Sequence, residues 1–236
     1  MLAPCTAHAQ TNTQLWTEFT LDWIKSKHTT IGVDVEPKVL LSAPAGDPGW
    51  ATLDVTPSVE YARGQWFDLI GELHAGWTKQ TDDLNSTEIT PRIGFRLHLL
   101  SNLREDLFKE RQPKRRLVIR DLMRVEWRNL LYSTDKPDSS TVRFRNRLEM
   151  LWPINRQRIT ENGASYLTTD WEWFIPVDDP SERFANKQRI RAGLGYRRSR
   201  AWHFEAKYVW DRSRNSIDQP FTSSDHAIDL VMKRVW

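Results

Sequence analysis

Apolar and polar side chains alternate with a period of two along most of this chain. That pattern marks β-strands with one apolar and one polar face, because successive strand side chains point to opposite sides. In residues 29–42, Ile31, Val33, Val35, Pro37, Val39 and Leu41 are apolar, whereas Gly32, Asp34, Glu36 and Lys38 between them are not. In 51–61, Leu53, Val55, Val59 and Tyr61 oppose Asp54, Thr56, Ser58 and Glu60. In 66–78, Phe67, Leu69, Leu73 and Trp77 oppose Asp68, Glu72 and His74, and in 88–99, Ile89, Ile93, Phe95, Leu97 and Leu99 oppose Glu88, Arg92, Arg96 and His98. Further on, Val142, Phe144, Leu148, Met150 and Trp152 oppose Arg143, Arg145, Arg147 and Glu149. Ile190, Ala192, Leu194 and Tyr196 oppose Arg189 and Arg191, and Trp202, Phe204, Ala206, Tyr208 and Trp210 oppose His203, Glu205, Lys207 and Asp211. Segments 15–24, 116–133 and 165–175 alternate less strictly, and Asp121 falls on the apolar face of the second. The last segment, about 224–236, puts Ile228, Leu230, Met232 and Trp236 on one face.

These segments are longer than the roughly five or six residues of an average soluble strand and match the length that crosses a bilayer at a tilt. The pattern predicts an all-β fold, an antiparallel transmembrane β-barrel of ten to twelve strands over residues 10–236. A soluble barrel also alternates, but it would turn the apolar face inward and leave these charges outside. The segments number eleven, whereas bacterial barrels have an even number. Either 13–24 does not span, or 101–116 conceals a strand. Pro37, Pro57 and Pro91 lie inside strands, where each removes a ladder hydrogen bond and predicts a bulge.

Composition sharpens this picture. No apolar run approaches the roughly 18 residues of a membrane helix, whereas a barrel needs only every second residue to face lipid. The net charge of +3 mixes both signs too evenly for a nucleic-acid partner. The chain has twelve tryptophans, a residue that gathers at membrane–water interfaces. Trp50, Trp77, Trp171, Trp173 and Trp210 fall near one set of strand ends, and Trp23, Trp66, Trp152, Trp202 and Trp236 near the other. Residues 1–9 read as the remnant of a signal peptide, with Ala7-His8-Ala9 as a small-x-small cleavage site before Gln10. A lipoprotein site at Cys5 is the rival reading, and Pro4 disfavours it. Cleavage before Gln10 removes the only cysteine, which suits passage through an oxidising periplasm.

If Trp236 ends in the periplasm, connections 25–28, 62–65, 101–115, 153–163 and 198–200 become periplasmic and are rich in lysine and arginine. Connections 42–49, 80–86, 134–139 and 176–185 become extracellular and are rich in aspartate. The basic end would meet anionic head groups, although solvated turns alone would also be charged. On the inward face, the first four strands carry Glu18, Asp22, Asp34, Glu36, Asp54, Glu60, Asp68 and Glu72, against Lys38. The next three carry Arg92, Arg96, Arg120, Arg124, Arg128, Arg143, Arg145 and Arg147, against Glu88, Glu126 and Glu149. Asp170, Glu172, Arg189 and Arg191 continue the inner charge. Such a lumen is either an internal salt-bridge network or a small pore with a transverse field that orients polar or zwitterionic solutes.

Motifs for catalysis are thin. Ser223, Ser224, Asp225 and His226 adjoin in sequence, but strand neighbours alone do not make a base relay, and no outward Ser/His pair is evident. His74, His98 and His203 face inward on separate strands, and neither a metal nor a cofactor is expected. The basic cluster Arg111–Arg116 lacks the interleaved aromatics of a nucleic-acid patch.

Several segments resemble an uncharacterised family of exported barrels, known as domain of unknown function 2490. They are Arg120-x-x-x-Arg124-x-Glu126-x-Arg128, Val142-Arg143-Phe144-Arg145-Asn146-Arg147-Leu148, Asp170-x-Glu172-x-Phe174 and Arg189-x-Arg191-Ala192-Gly193-Leu194-Gly195-Tyr196, followed by a closing aromatic strand. The resemblance covers the C-terminal half by motif and the rest by pattern. It implies an outer-membrane barrel without an assigned activity. The expected partners are outer-membrane lipids, the barrel-assembly machinery (which would read the terminal aromatic Trp236) and a small polar solute. The expected function is a structural barrel or narrow channel, the alternative being a lipid-modifying acyl hydrolase or transferase.

Overall fold

Eleven long strands follow one another around a closed ring, each paired with its neighbours in sequence, in a computed structural model that describes residues 10–42, 48–81, 84–100, 117–179, 186–214, 221 and 223–236. They are β1 (Gln10–Ile24), β2 (Thr29–Ser42), β3 (Trp50–Arg63), β4 (Phe67–Gln80), β5 (Ser86–Leu100) and β6 (Val118–Tyr132). β7 (Ser139–Pro153), β8 (Ala164–Pro176), β9 (Lys187–Arg197), β10 (Trp202–Ser213) and β11 (Ser223–Val235) complete the ring. No helix occurs among the described residues. The expected export remnant, residues 1–9, lies outside them, as does the stretch 101–116 in which a further strand was sought.

The eleven segments counted in the sequence are all strands, and the even number general to bacterial barrels is not met. Segment 13–24 does span, as part of β1, and the ring closes with eleven strands. Consecutive strands reverse direction, so in an odd ring the last runs parallel to the first. All neighbours are therefore antiparallel except β1 and β11, which pair in parallel from Gln10↔Ser223 to Asp22↔Val235. The amide of Ile24 donates to the Trp236 carbonyl at 3.0 Å, and the Trp236 amide donates to the Asp22 carbonyl at 2.9 Å, fastening the end of the seam.

The prolines do not make the predicted bulges. Pro37 pairs with Leu53, Pro57 with Val33 and Pro91 with Leu73 without a register shift. On its other side each ladder resumes in the same register two residues later, so the missing N–H interrupts pairing without inserting a residue. The register shifts fall instead at Thr13/Gln14 and between His98 and Leu100.

The ring is apolar outside and charged inside. Ile93 (60% exposed), Leu194 (58%) and Val59 (51%) stand on the outer surface, while Glu126 and Glu172 are fully buried within. Gathered at the end that carries Trp236, Trp23 stacks on Trp236 with ring centroids 5.2 Å apart, and Arg234 lies over both Trp202 and Trp236. Trp50 departs from the two outer belts, because it sits at its strand end but lines the lumen. Trp16 also faces inward, packed with Val209 and Ala227. Outward Asp121 is held by Asn146, whose Nδ2 donates to it at 2.5 Å.

Candidate functional site in the barrel lumen

The lumen contains a cavity of about 1050 Å³ whose lining reaches both ends of the barrel, from Pro48, Trp50 and Lys136 at one to Ile24, His203 and Val235 at the other. At the Trp236 end the connection between β7 and β8 folds inward. Ile159 is buried against Val118, Leu151 and Tyr166, and Thr160 borders the cavity. Gly163 adopts φ +75 as the chain returns to β8, a conformation for which glycine carries no Cβ penalty, and its amide donates to the Arg197 carbonyl at 2.7 Å.

Two glutamates organise the middle of the lumen. Glu126 on β6 is approached by Arg92 at 3.2 Å, by Arg145 at 3.2 Å and by Arg143 in a still shorter contact. Glu172 on β8 receives Arg145 at 2.5 Å, Arg191 at 3.5 Å, Arg189 at 3.6 Å and Arg124 at 3.7 Å. The alternation that places arginine on the inner face of β5, β6, β7 and β9 thus supplies a cage around carboxylates on β6 and β8. Burial of this many guanidinium groups is tolerable only with such partners. Phe174 lies beneath the same group, its ring 4.7 Å from the Arg145 guanidinium and 5.0 Å from that of Arg143.

Other pairs extend the network toward the two mouths. Arg124 reaches Glu72 at 2.8 Å, Arg96 reaches Glu60 at 2.5 Å, Arg128 reaches Glu88 at 2.9 Å, and Arg120 pairs closely with Glu149. Lys38 bridges Glu36 at 2.9 Å and Asp54 at 2.7 Å. Arg191 holds Asp170 at 2.9 Å, and Arg189 holds Asp211 at 2.8 Å. His98 contacts Asp68 at 2.8 Å, and His74 pairs with the Thr56 hydroxyl at 3.1 Å. Tyr166 crosses over Gly195 on the next strand to donate to Glu205 at 2.6 Å on the strand beyond. A Cβ at Gly195 would strike the tyrosine ring.

All the charged residues assigned to the lumen from the sequence lie on the inner face. Glu126, Asp170 and Glu172 sit behind the arginines and do not border the cavity, while the others do. The extent of the acidic wall was not visible from the chain order. Glu205, Asp211, Asp225 and Asp229 on β10 and β11 join it because the parallel seam sets these strands beside β1. Alternation gave the inward direction of Glu205 and Asp211, but only closure gives the neighbours of all four. The outer face differs from expectation in a further respect. Ser224 and His226 do stand there together, but Ser224 accepts from Trp210 Nε1 at 2.7 Å and His226 engages the Tyr208 hydroxyl. The serine and histidine are not bonded to one another; each is engaged by an aromatic side chain of β10.

Fold and site together define a closed β-barrel with an apolar exterior and a salt-bridged, cavity-bearing interior. No protein-family model matches the chain, and comparisons with curated proteins and with solved structures give no match.

Proposed function

We propose that this chain is an integral outer-membrane β-barrel of a Gram-negative bacterium whose lumen is a narrow path for small polar solutes. The observation that carries the reading is the inversion of polarity. Contiguous apolar surface of this extent is rare on a soluble monomer, and a bilayer is the solvent that favours it. The resemblance of the C-terminal half to the uncharacterised barrel family points the same way. The Trp236 end faces the periplasm in this reading, where Arg198, Arg200 and Lys25 beside the turns would meet anionic head groups.

The lumen sets the size of what passes. Spread over a hydrocarbon thickness of about 30 Å, the cavity of about 1050 Å³ averages roughly 35 Å² in cross-section, a few water molecules abreast. A path of this average width suits ions and small metabolites.

Two measurements test the reading. The protein should remain in the outer-membrane fraction through a urea wash and migrate differently in boiled and unboiled SDS samples. Recovery as a soluble periplasmic protein would overturn the membrane assignment. Folded protein in a planar bilayer should give small conductance steps, and their absence would overturn the path.

A further inference from the structure

Most lumen charges are committed to partners, and three that are not face one another at mid-lumen. Arg147 lines the cavity, yet no hydrogen bond or ion pair joins it to a described residue. The carboxylates that attract it at longer range are engaged more closely by others: Glu149 by Arg120, Glu172 by Arg145 and Glu72 by Arg124. Across the lumen, Glu18 and Asp34 likewise border the cavity without an ion pair to a described cation. Glu18 accepts only from Thr20 Oγ1, at 3.0 Å. The lysines that attract this pair at longer range are committed too, Lys233 to Asp22 at 2.6 Å and Lys207 to Glu205 at 3.1 Å.

Register puts Arg147 and the two carboxylates at about one height. The paired row through Arg147 runs through Glu172, Arg189, Asp211 and Asp225 to Asn12. In strands tilted by about 40°, each of these steps rises by about 3 Å, so the row climbs about 15 Å, which takes about six residues to descend along β1. That descent ends at Glu18, and Asp34 pairs with Thr20, the next inward residue. β7 lies across the ring from β1 and β2. A ring of this strand number is about 22 Å across at the backbone; an extended arginine and a facing glutamate leave roughly 10 Å, and two hydrogen bonds reduce this to about 5 Å between a ligand's charged ends.

The geometry points to a binding site at mid-lumen for a small zwitterion, its anionic end on Arg147 and its ammonium end between Glu18 and Asp34. The span suits an amino acid whose charges are separated by a few methylene groups, such as 4-aminobutanoate. An uncommitted guanidinium can take a carboxylate in a bidentate contact, and the two carboxylates opposite receive the ammonium. This inference rests on the lumen being reached by small solutes, as proposed above.

The test is a ligand-observed NMR titration of the purified full chain in detergent, with folding checked first by heat-modifiable migration. 4-Aminobutanoate should bind about tenfold or more tighter than butanoate or butylamine, and Arg147→Gln should remove that advantage while the protein stays folded. Arg147→Glu should reverse the preference, so that 1,4-diaminobutane binds and 4-aminobutanoate does not. Folded wild-type protein that binds 4-aminobutanoate no better than the single-ended compounds would overturn the site, as would an unchanged advantage in Arg147→Gln. Either result would leave the membrane barrel standing, because that reading fails only in fractionation and conductance.

Discussion

Replacing Glu126 by glutamine keeps the shape of a fully buried side chain and removes its charge, leaving Arg92, Arg143 and Arg145 without their shared carboxylate. At an effective dielectric near 20, a charge pair about 3.5 Å apart is worth about 5 kcal/mol before mutual repulsion of the arginines is counted. Arg145 keeps Glu172 and Arg92 keeps Glu72, which offsets part of the loss. The expected cost is therefore about 3–5 kcal/mol, the range for stranding a buried charge, against a total stability of about 5–15 kcal/mol. Urea unfolding of the barrel in detergent micelles, followed by tryptophan fluorescence and by heat-modifiable migration, measures it. Glu18→Gln is the internal comparison: the same chemical change on the same inner face, at a residue with no ion pair, should cost less than about 1 kcal/mol. Equal effects of the two substitutions would refute the view that Glu126 organises the lumen.

Three further outcomes follow from other parts of the barrel. Gly195→Ala should cost about 1–3 kcal/mol by driving a methyl group into the Tyr166 ring, and the same substitution should cost less in a Tyr166→Ala background, read as a double-mutant cycle in urea titrations; a neutral Gly195→Ala would contradict the packing. Ile93→Arg, midway along β5 on the outer face, should lower stability in phospholipid vesicles by about 2–4 kcal/mol if that face meets lipid, whereas an unchanged midpoint would speak for water there. Epitopes placed immediately before Gln10 and after Trp236 should lie on opposite sides of the membrane, so antibody on intact cells should reach only one; access to both or neither would contradict an odd ring.

The chain order exposed more of the strands than of the site. Period-two alternation located every strand because a two-sided surface imposes it on each segment independently. It could not settle parity, since nothing within 13–24 or 224–236 tells those segments that they will lie side by side. The proline expectation failed for a related reason. Losing an N–H interrupts one ladder, but a bulge also needs an extra residue, and Pro37, Pro57 and Pro91 each keep their place opposite a partner on the other side. For the lumen, inward direction was legible for Glu126, Glu172 and the arginines, but their sharing was not. Arg92 and Glu126 are neighbours on adjacent strands, whereas Arg124 and Glu172 meet across β7, a proximity set by side-chain reach rather than spacing. The surplus of Arg147, Glu18 and Asp34 is still less visible in sequence, because being unpaired depends on what every neighbour has chosen.

The parallel seam has a consequence for how the lumen acquires its field. β1 and β11 are separated by about two hundred residues, so joining them costs on the order of 5 kcal/mol in loop entropy and must come late in assembly. Until then both strands are open edges, and the acidic groups of β10 and β11 stand at the far margin of a sheet from Glu18 and Asp34. Closure brings them together as one wall facing the arginines. Any open intermediate would display its charges to water on a broad face, and the opposition of the two walls, with the cavity between them, comes into being only when the last strand meets the first.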